Sequence, residues 1–244
     1  MTGPDIVCPE QGWPLARAVA MLGGPAAPLL ASSLAPLLTP LLTEETEASL
    51  SRWLDLLVSW NARVDLTAAR SADELVDLMV ADAWMLASRI DQGARVIDVG
   101  TGAGAPGLAL AILRPDLEVT LVEPQAKRRA FLRTVLGTLG LPRVNLDPRK
   151  GDAVATSHPR SWDVALARAT LAPAPWLALA RDLVTGTGAA WVFLAKEPNP
   201  VNPGFTESEE VRYVWPLTGA ERRLVRYERR AGSRLPTARS SRPA

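Results

Sequence analysis

Apolar positions recur at helical spacing over the first third of the chain and in short β-rich runs after Asp91. That change of period divides the molecule. Leu50, Trp53, Leu54, Leu57 and Trp60 share one helical face, behind Glu44, Glu45 and Glu47, carboxylates that suit the positive end of a helix dipole. A second helix is expected from Ser71: Ser71 and Glu74 have capping-box spacing, and Leu75, Leu78, Met79, Asp82 and Leu86 repeat at the same period. Beyond Asp91 the pattern alternates: strand 95–100, helix 106–113, strand 118–123, helix 125–139, weaker strand 143–146, strand 163–169, helix 173–184 and strand 189–196. Alternation of this kind predicts parallel pairing, right-handed crossovers and helices on both faces. Two late runs, 211–217 and 222–229, have no long helix between them and are expected to finish the sheet as an antiparallel pair.

The ends differ from the middle. Residues 17–42 are apolar enough for a targeting segment, but Pro25, Pro28, Pro36 and Pro40 interrupt any spanning helix, and Asp5 and Glu10 spoil a basic leader. The chain therefore reads as a variable extension (1–40), a helical layer (41–91), an α/β domain (92–231) and a basic, disordered tail (232–244). A net charge of +1 gives no whole-molecule attraction to nucleic acid or to a membrane, yet from Glu221 onward eight arginines face two glutamates. Cys8 has no second cysteine to pair with, which points to a reducing, cytoplasmic compartment. The single histidine, His158, lacks partners for a metal site or a Ser-His-Asp arrangement, so no metal is expected.

The chemistry is carried by VIDVGTGAGAPG, residues 96–107. Asp98 ends a buried strand, and Gly100, Gly102, Gly104 and Gly107 follow with Thr101 and Pro106 among them. Glycine permits positive φ and close approach to the backbone, and such a loop at the carboxyl end of a first strand is where open α/β sheets bind ligands. A carboxylate before the first glycine repels a pyrophosphate, and Pro106 removes a donor from the helix start that phosphate would need. The ligand is then cationic or neutral. S-adenosylmethionine, with a sulfonium and an ammonium and no phosphate, fits, and Asp98 offsets that charge directly or through water. Glu123 ends the second strand, placed to accept from two ribose hydroxyls. Asp152, beside Ala153, either accepts an adenine amino group or caps a helix.

From Leu41 to Tyr227 the chain resembles the bacterial small-subunit ribosomal RNA guanine-N7 methyltransferases of the RsmG/GidB family. The likeness rests on WNARVDLT (60–67), VIDVGTGAGAPG, KRRAFLR (127–133), ARA (167–169), AKE (195–197) and ERRL (221–224). It implies a class I methyltransferase fold, Rossmann-like with a mostly parallel seven-stranded sheet and a small N-terminal helical layer. It further implies S-adenosylmethionine as donor and N7 of a guanine in 16S ribosomal RNA as acceptor. The family's basic residues map onto Arg149, Arg168, Lys196 and Arg222. Two positions depart: the Arg-His pair of an RHILDS-like segment is Leu78-Met79 here, with Asp82 kept, and the glycine after the strand lysine is Glu197.

Guanine N7 is a lone pair without a proton, so its attack on a methyl group needs no general base. Positioning then carries the rate and can supply roughly 7 to 11 kcal/mol of barrier reduction. Arg168 and Lys196, at the ends of the fourth and fifth strands, are the catalytic candidates and are expected to face the donor's mouth. Arg168 also reads the base or grips a neighbouring phosphate. Arg149, Lys150, Lys196 and Arg222 neutralise backbone phosphates of a splayed or looped RNA. The expected partner is 16S RNA or a small-subunit particle, bound by a monomer. Two alternatives stand beside this reading: a divergent relative methylating a small molecule in a narrow apolar pocket, and a non-catalytic protein that binds cofactor or RNA.

Overall fold

A computed structural model describes residue 6, residues 9–22 and residues 41–230. The basic tail and most of the proline-rich extension lie outside the described residues. The helical layer comprises α1 (Leu15–Leu22), α2 (Glu44–Asn61), α3 (Ala72–Val76), a π-helical turn (Asp77–Ala81) and α4 (Asp82–Ala87). The α/β part runs β1 (Arg95–Val99), α5 (Gly107–Leu113), β2 (Glu118–Val122), α6 (Ala126–Leu139), β3 (Val144–Asp147), α7 (Gly151–Ser157), β4 (Trp162–Ala167), α8 (Pro173–Leu183) and β5 (Val184–Leu194). It closes with β6 (Phe205–Val214) and β7 (Glu221–Arg229).

The seven strands form one sheet in the order β3-β2-β1-β4-β5-β7-β6. The pairs from β3 across to β5 are parallel, while β7 is antiparallel to both β5 and β6. The late pair thus finishes the sheet with β7 slotted inside β6. The order reverses between β1 and β4, the switch point at which such sheets open a crevice beyond their carboxyl ends.

Side-chain alternation along β1 explains the layers. Val96 joins the core under α1, α2, α5 and α6, while Ile97 and Val99 join the core under α7 and α8. Both faces are covered, which is why the central strands read as apolar runs. α2 begins at Thr43, whose hydroxyl accepts the Thr46 amide while the Thr43 amide donates to Thr46 Oγ1.

Three expectations need correction. The extension is not wholly peripheral: Leu15, Ala18, Val19 and Leu22 of α1 are buried in the main core, and Trp13 Nε1 donates to Asp55 at 2.8 Å. α7 was foreseen only as the alternative role of Asp152, a helix cap; only Val154 and Ala155 of its residues are buried, too few to show a helical period. β6 starts at Phe205 rather than Val211, because its first half, TESEE, is largely exposed and carries no apolar alternation.

Candidate functional site

Asp98 is fully buried and its Oδ2 accepts the Gly107 amide at 2.9 Å, while the Leu108 amide is taken by the Gly104 carbonyl at 2.6 Å. The first donors of α5 are therefore spent on the protein, and a carboxylate stands where phosphate would sit. The same two bonds and the carboxylate disfavour a pyrophosphate at this helix start. Burial, offset by the neighbouring Thr101 side chain, the Gly107 amide and Arg168, pushes the Asp98 carboxyl up to about 6.

The glycines answer mostly to protein neighbours. A Cβ on Gly107 would lie 2.7 Å from Asp98 Cβ and Oδ2, and one on Gly100 would lie 2.3 Å from Thr170 Oγ1. Gly102, at φ +62°, is the position in this loop with open space beside it, and its amide donates to Glu123 Oε2 at 3.0 Å. Close ligand approach is thus a property of Gly102, not of the loop as a whole.

A cavity of about 470 Å³ opens beyond β1 and β2, walled in part by Leu66, Thr67, Gly100, Thr101, Gly102, Glu123, Arg128 and Arg168. The family motifs build it. Asn61 Oδ1 accepts the Leu66 and Thr67 amides at 2.9 and 3.1 Å, folding the LT of WNARVDLT into the wall. Trp53 Nε1 donates to the Ala103 carbonyl, and Trp60 packs edge-on against Phe131 of KRRAFLR at 5.8 Å. Glu123 also accepts the Gln125 amide at 2.7 Å through Oε1, so each carboxylate oxygen keeps acceptor capacity for a ligand hydroxyl. Thr101 Oγ1 and Asp98 Oδ1 are buried and complete no hydrogen bond among the described residues. An unpartnered buried hydroxyl in the wall, backed by a carboxylate, suits a ligand bearing hydroxyls and cationic nitrogen. The residues present fit S-adenosylmethionine.

A second cavity, of about 680 Å³, lies on the β4–β5 side and shares Leu78, Arg168, Ala169 and Thr170 with the first. Arg168 therefore stands where the two spaces meet. Its guanidinium donates to Asp82 Oδ2 at 2.9 Å and to the Leu78 carbonyl. Asp82 Oδ1 accepts from Tyr213 Oη at 2.6 Å and from Trp215 Nε1 at 2.8 Å, so this one carboxylate ties α4, β4 and the end of β6 together. Burial and then Asp82 raise the Tyr213 hydroxyl well above its ordinary range, keeping it a donor. Asp77, at the start of the π-helical turn, accepts from the Leu217 and Thr218 amides and from Thr218 Oγ1, fixing the turn before β7. Burial raises the Asp77 pKa, and these bonds hold it down in part. Sequence reasoning saw Asp82 as a retained position and missed its partners Tyr213 and Trp215; the aspartate inside an apolar helix face was the available signal.

Of the expected cofactor residues, Gly100, Thr101, Gly102, Glu123 and Arg168 line the first cavity. Asp98, Gly104, Pro106 and Gly107 form the support behind it. Asp152 and Ala153 line neither cavity; Asp152 Oδ1 accepts the Ala153 amide at 2.8 Å in the first turn of α7. Asp98 itself lines neither cavity, so its carboxylate stands behind the wall rather than in it. Of the expected RNA residues, Arg222 lines the second cavity. Lys196 is exposed and lines neither; the equally exposed Ala195 and Glu197 on either side of it border the second cavity, and Glu197 Oε2 accepts the Ala195 amide. Arg149 is bound to Asp147 and Ser157, and neither it nor the exposed Lys150 reaches a cavity. Arg128, in KRRAFLR, lines the donor-side cavity and was not singled out. Among the described residues no group of three or more His, Cys, Asp or Glu could hold a metal, and no helix is long and apolar enough to cross a membrane.

Comparison with known proteins converges on this geometry. The fold matches the crystal structure of TrmN from Thermus thermophilus with a TM-score of 0.50 and 20% identity, over 73% of this chain and 52% of that one. Ribosomal RNA small subunit methyltransferase G of Chromobacterium violaceum is 34% identical over 189 residues, covering 76% of this chain and 90% of its own. The protein of that name from Anaeromyxobacter sp. is 30% identical over 209 residues, 82% of this chain and 96% of its own. The family model for GidB, rRNA small subunit methyltransferase G, matches residues 46–199, from α2 through the AKE loop. With the sheet order, the phosphate-averse loop and the paired cavities in place, the chain belongs to the GidB family, the rRNA small subunit methyltransferase G proteins, and has their class I methyltransferase fold.

Proposed function

We propose that this protein is an S-adenosylmethionine-dependent methyltransferase that modifies N7 of a guanine in 16S ribosomal RNA. One observation carries the reading: a donor-side cavity whose wall offers carboxylate and hydroxyl acceptors but no free helix-start amides joins a second, larger cavity at Arg168. When bound, S-adenosylmethionine supplies an electrophilic methyl group to a nucleophile that already carries a lone pair.

The chain's residues then hold and orient. Glu123 accepts ribose hydroxyls, Thr101 and the Gly102 backbone contact the amino-acid part, and Leu66 and Thr67 close the wall. Arg168, held by Asp82 and the Leu78 carbonyl, presents its remaining donors at the junction, where they meet guanine O6 and leave N7 free. No general base is required, and the buried ionisable groups nearby are engaged: Asp82 accepts three bonds and Tyr213 stays protonated. Catalysis is placement of a lone pair against a methyl group, which is worth roughly 7 to 11 kcal/mol when geometry is fixed. Arg149, Lys150 and Lys196, outside the cavities, suit phosphates of RNA flanking the target. The protein acts as a monomer in the cytoplasm on 16S RNA or the small-subunit particle.

The test is incubation with labelled S-adenosylmethionine and small subunits, or their 16S RNA, from a strain lacking the native enzyme. Borohydride–aniline cleavage then maps 7-methylguanine. Label at one guanine is expected. Binding of S-adenosylhomocysteine with no label in RNA would refute the assignment.

A further inference from the structure

Arg222 is stacked on an aromatic ring. Its guanidinium carbon lies 3.8 Å from the ring centroid of Trp215, a face-on stack, and its side-chain hydrogen bond runs from Nη1 to the Glu221 carbonyl at 2.8 Å. Both residues line the larger cavity. Trp215 cannot drift, because its Nε1 donates to Asp82 and its backbone closes the turn to β7 through the Ala220 carbonyl at 2.8 Å and the Gly219 amide at 2.9 Å. Asp77 clamps the same turn from the π-helical turn.

The surroundings disfavour a phosphate. Asp82 and Glu197 also line this cavity, and Glu197 is held below the usual carboxylate range by its backbone bonds, so it stays anionic. Asp82 is engaged by Arg168, Tyr213 and Trp215, so Glu197 is the carboxylate left to oppose phosphate oxygens and to accept from the ring N–H and amino donors of a base. A planar cation already oriented on an indole is what a nucleobase stacks on in single-stranded RNA.

We infer that the Arg222–Trp215 stack is the platform on which the target nucleobase lies in the acceptor cavity, Trp215 orienting the guanidinium and Arg222 presenting its plane to the base. The inference rests on the RNA methyltransferase reading and assigns its acceptor subsite. Charge and shape separate the two roles of Arg222. A lysine keeps the charge and loses the plane, so a stacking residue is not rescued by lysine whereas a phosphate ligand largely is.

The experiment measures methyl transfer to small subunits by wild type, Arg222→Lys and Arg222→Ala across salt concentrations, with S-adenosylhomocysteine affinity measured alongside. Both variants are expected to lose about 5- to 150-fold in kcat/KM for RNA, the range of one base-stacking contact, with cofactor affinity unchanged. The slope of log kcat/KM against log salt is expected to stay at the wild-type value. Near-wild-type activity of Arg222→Lys, or a slope smaller by about 0.7 in Arg222→Ala, marks a phosphate contact and overturns the inference. If Arg222→Ala loses cofactor binding through misfolding, Trp215→Phe and Trp215→Leu decide instead: the aromatic variant must retain more RNA kcat/KM than Leu, and equality refutes the platform. Failure of the wild type itself to label RNA refutes the functional reading rather than the platform alone.

Discussion

Replacing Asp98 by asparagine should stabilise the ligand-free protein, and by an amount that grows with pH. Burial holds the folded-state pKa at about 6 against an ordinary 3.8, a rise of about two units. At 1.36 kcal/mol per unit this is roughly 3 kcal/mol of penalty once the group is ionised in both states. The sign follows from proton counts: between the two pKa values the native state keeps a proton that the unfolded chain has released, so stability falls as pH rises through this window. By about pH 7, one unit above the folded-state pKa, the loss is nearly complete and the curve flattens. Integrated over the curve, about 2 kcal/mol of it develops between pH 4.5 and 7. The substituted asparagine keeps an acceptor for the Gly107 amide and does not titrate. Urea unfolding of both proteins at half-unit pH steps isolates the effect, since every other carboxylate cancels in the difference. The Asp98→Asn advantage should widen by about 2 kcal/mol from pH 4.5 to 7. A constant difference would show that Asp98 titrates normally, and a narrowing one that Arg168 and the local donors outweigh burial.

Further outcomes follow from the same contacts. Asp82→Ala strips the half-buried Arg168 of its partner and leaves Tyr213 and Trp215 unsatisfied; a loss of about 3 kcal/mol in chemical denaturation is expected, with Asp82→Asn intermediate. Gly107→Ala forces a methyl group to within 2.7 Å of the Asp98 side chain, costing about 1 to 3 kcal/mol by thermal unfolding. Glu123→Gln turns an amide donor toward one of two backbone donors, so calorimetry should show S-adenosylhomocysteine binding weakened by about 10- to 100-fold. Lys196→Ala should leave kcat unchanged while lowering the salt slope of kcat/KM by about 0.7, because the residue is exposed and outside both cavities.

What the sequence showed plainly was local. A strand carrying Asp98 near its end, a glycine run and a carboxylate just past the next strand are written in neighbouring residues, and each stands at the expected place in the fold, with open space left at Gly102 alone of the loop glycines. Ser71 Oγ accepts the Glu74 amide as its spacing predicts, although the Glu74 carboxylate reaches the Arg70 amide. The acceptor side was hidden because its bonds join distant segments: Asp82 to Arg168, 86 residues on, and to Tyr213 and Trp215 beyond that. No periodicity records such a pairing. Lys196 was misplaced for a simpler reason: Ala195 and Glu197 on either side of it line the second cavity and it does not, and the end of a strand does not itself say which of the alternating positions meets the crevice.

At the Leu78-Met79 departure the contact to Arg168 is made by the backbone. Arg168 is anchored at that position through the Leu78 carbonyl, so the backbone of the π-helical turn, not the side chain, supplies the acceptor. Side-chain change there alters the wall of both cavities without releasing the arginine. The bonds that fix geometry come instead from two buried aspartates that accept from remote segments, Asp82 from Arg168 after β4 and from the end of β6, and Asp77 from the turn before β7, with Asp98 adding a local bond to the start of α5. Apolar packing between the helical layer and the sheet is non-directional and tolerates sliding, whereas a carboxylate with two or three fixed donors does not. A site whose chemistry is placement alone needs that registry more than it needs any one reactive side chain.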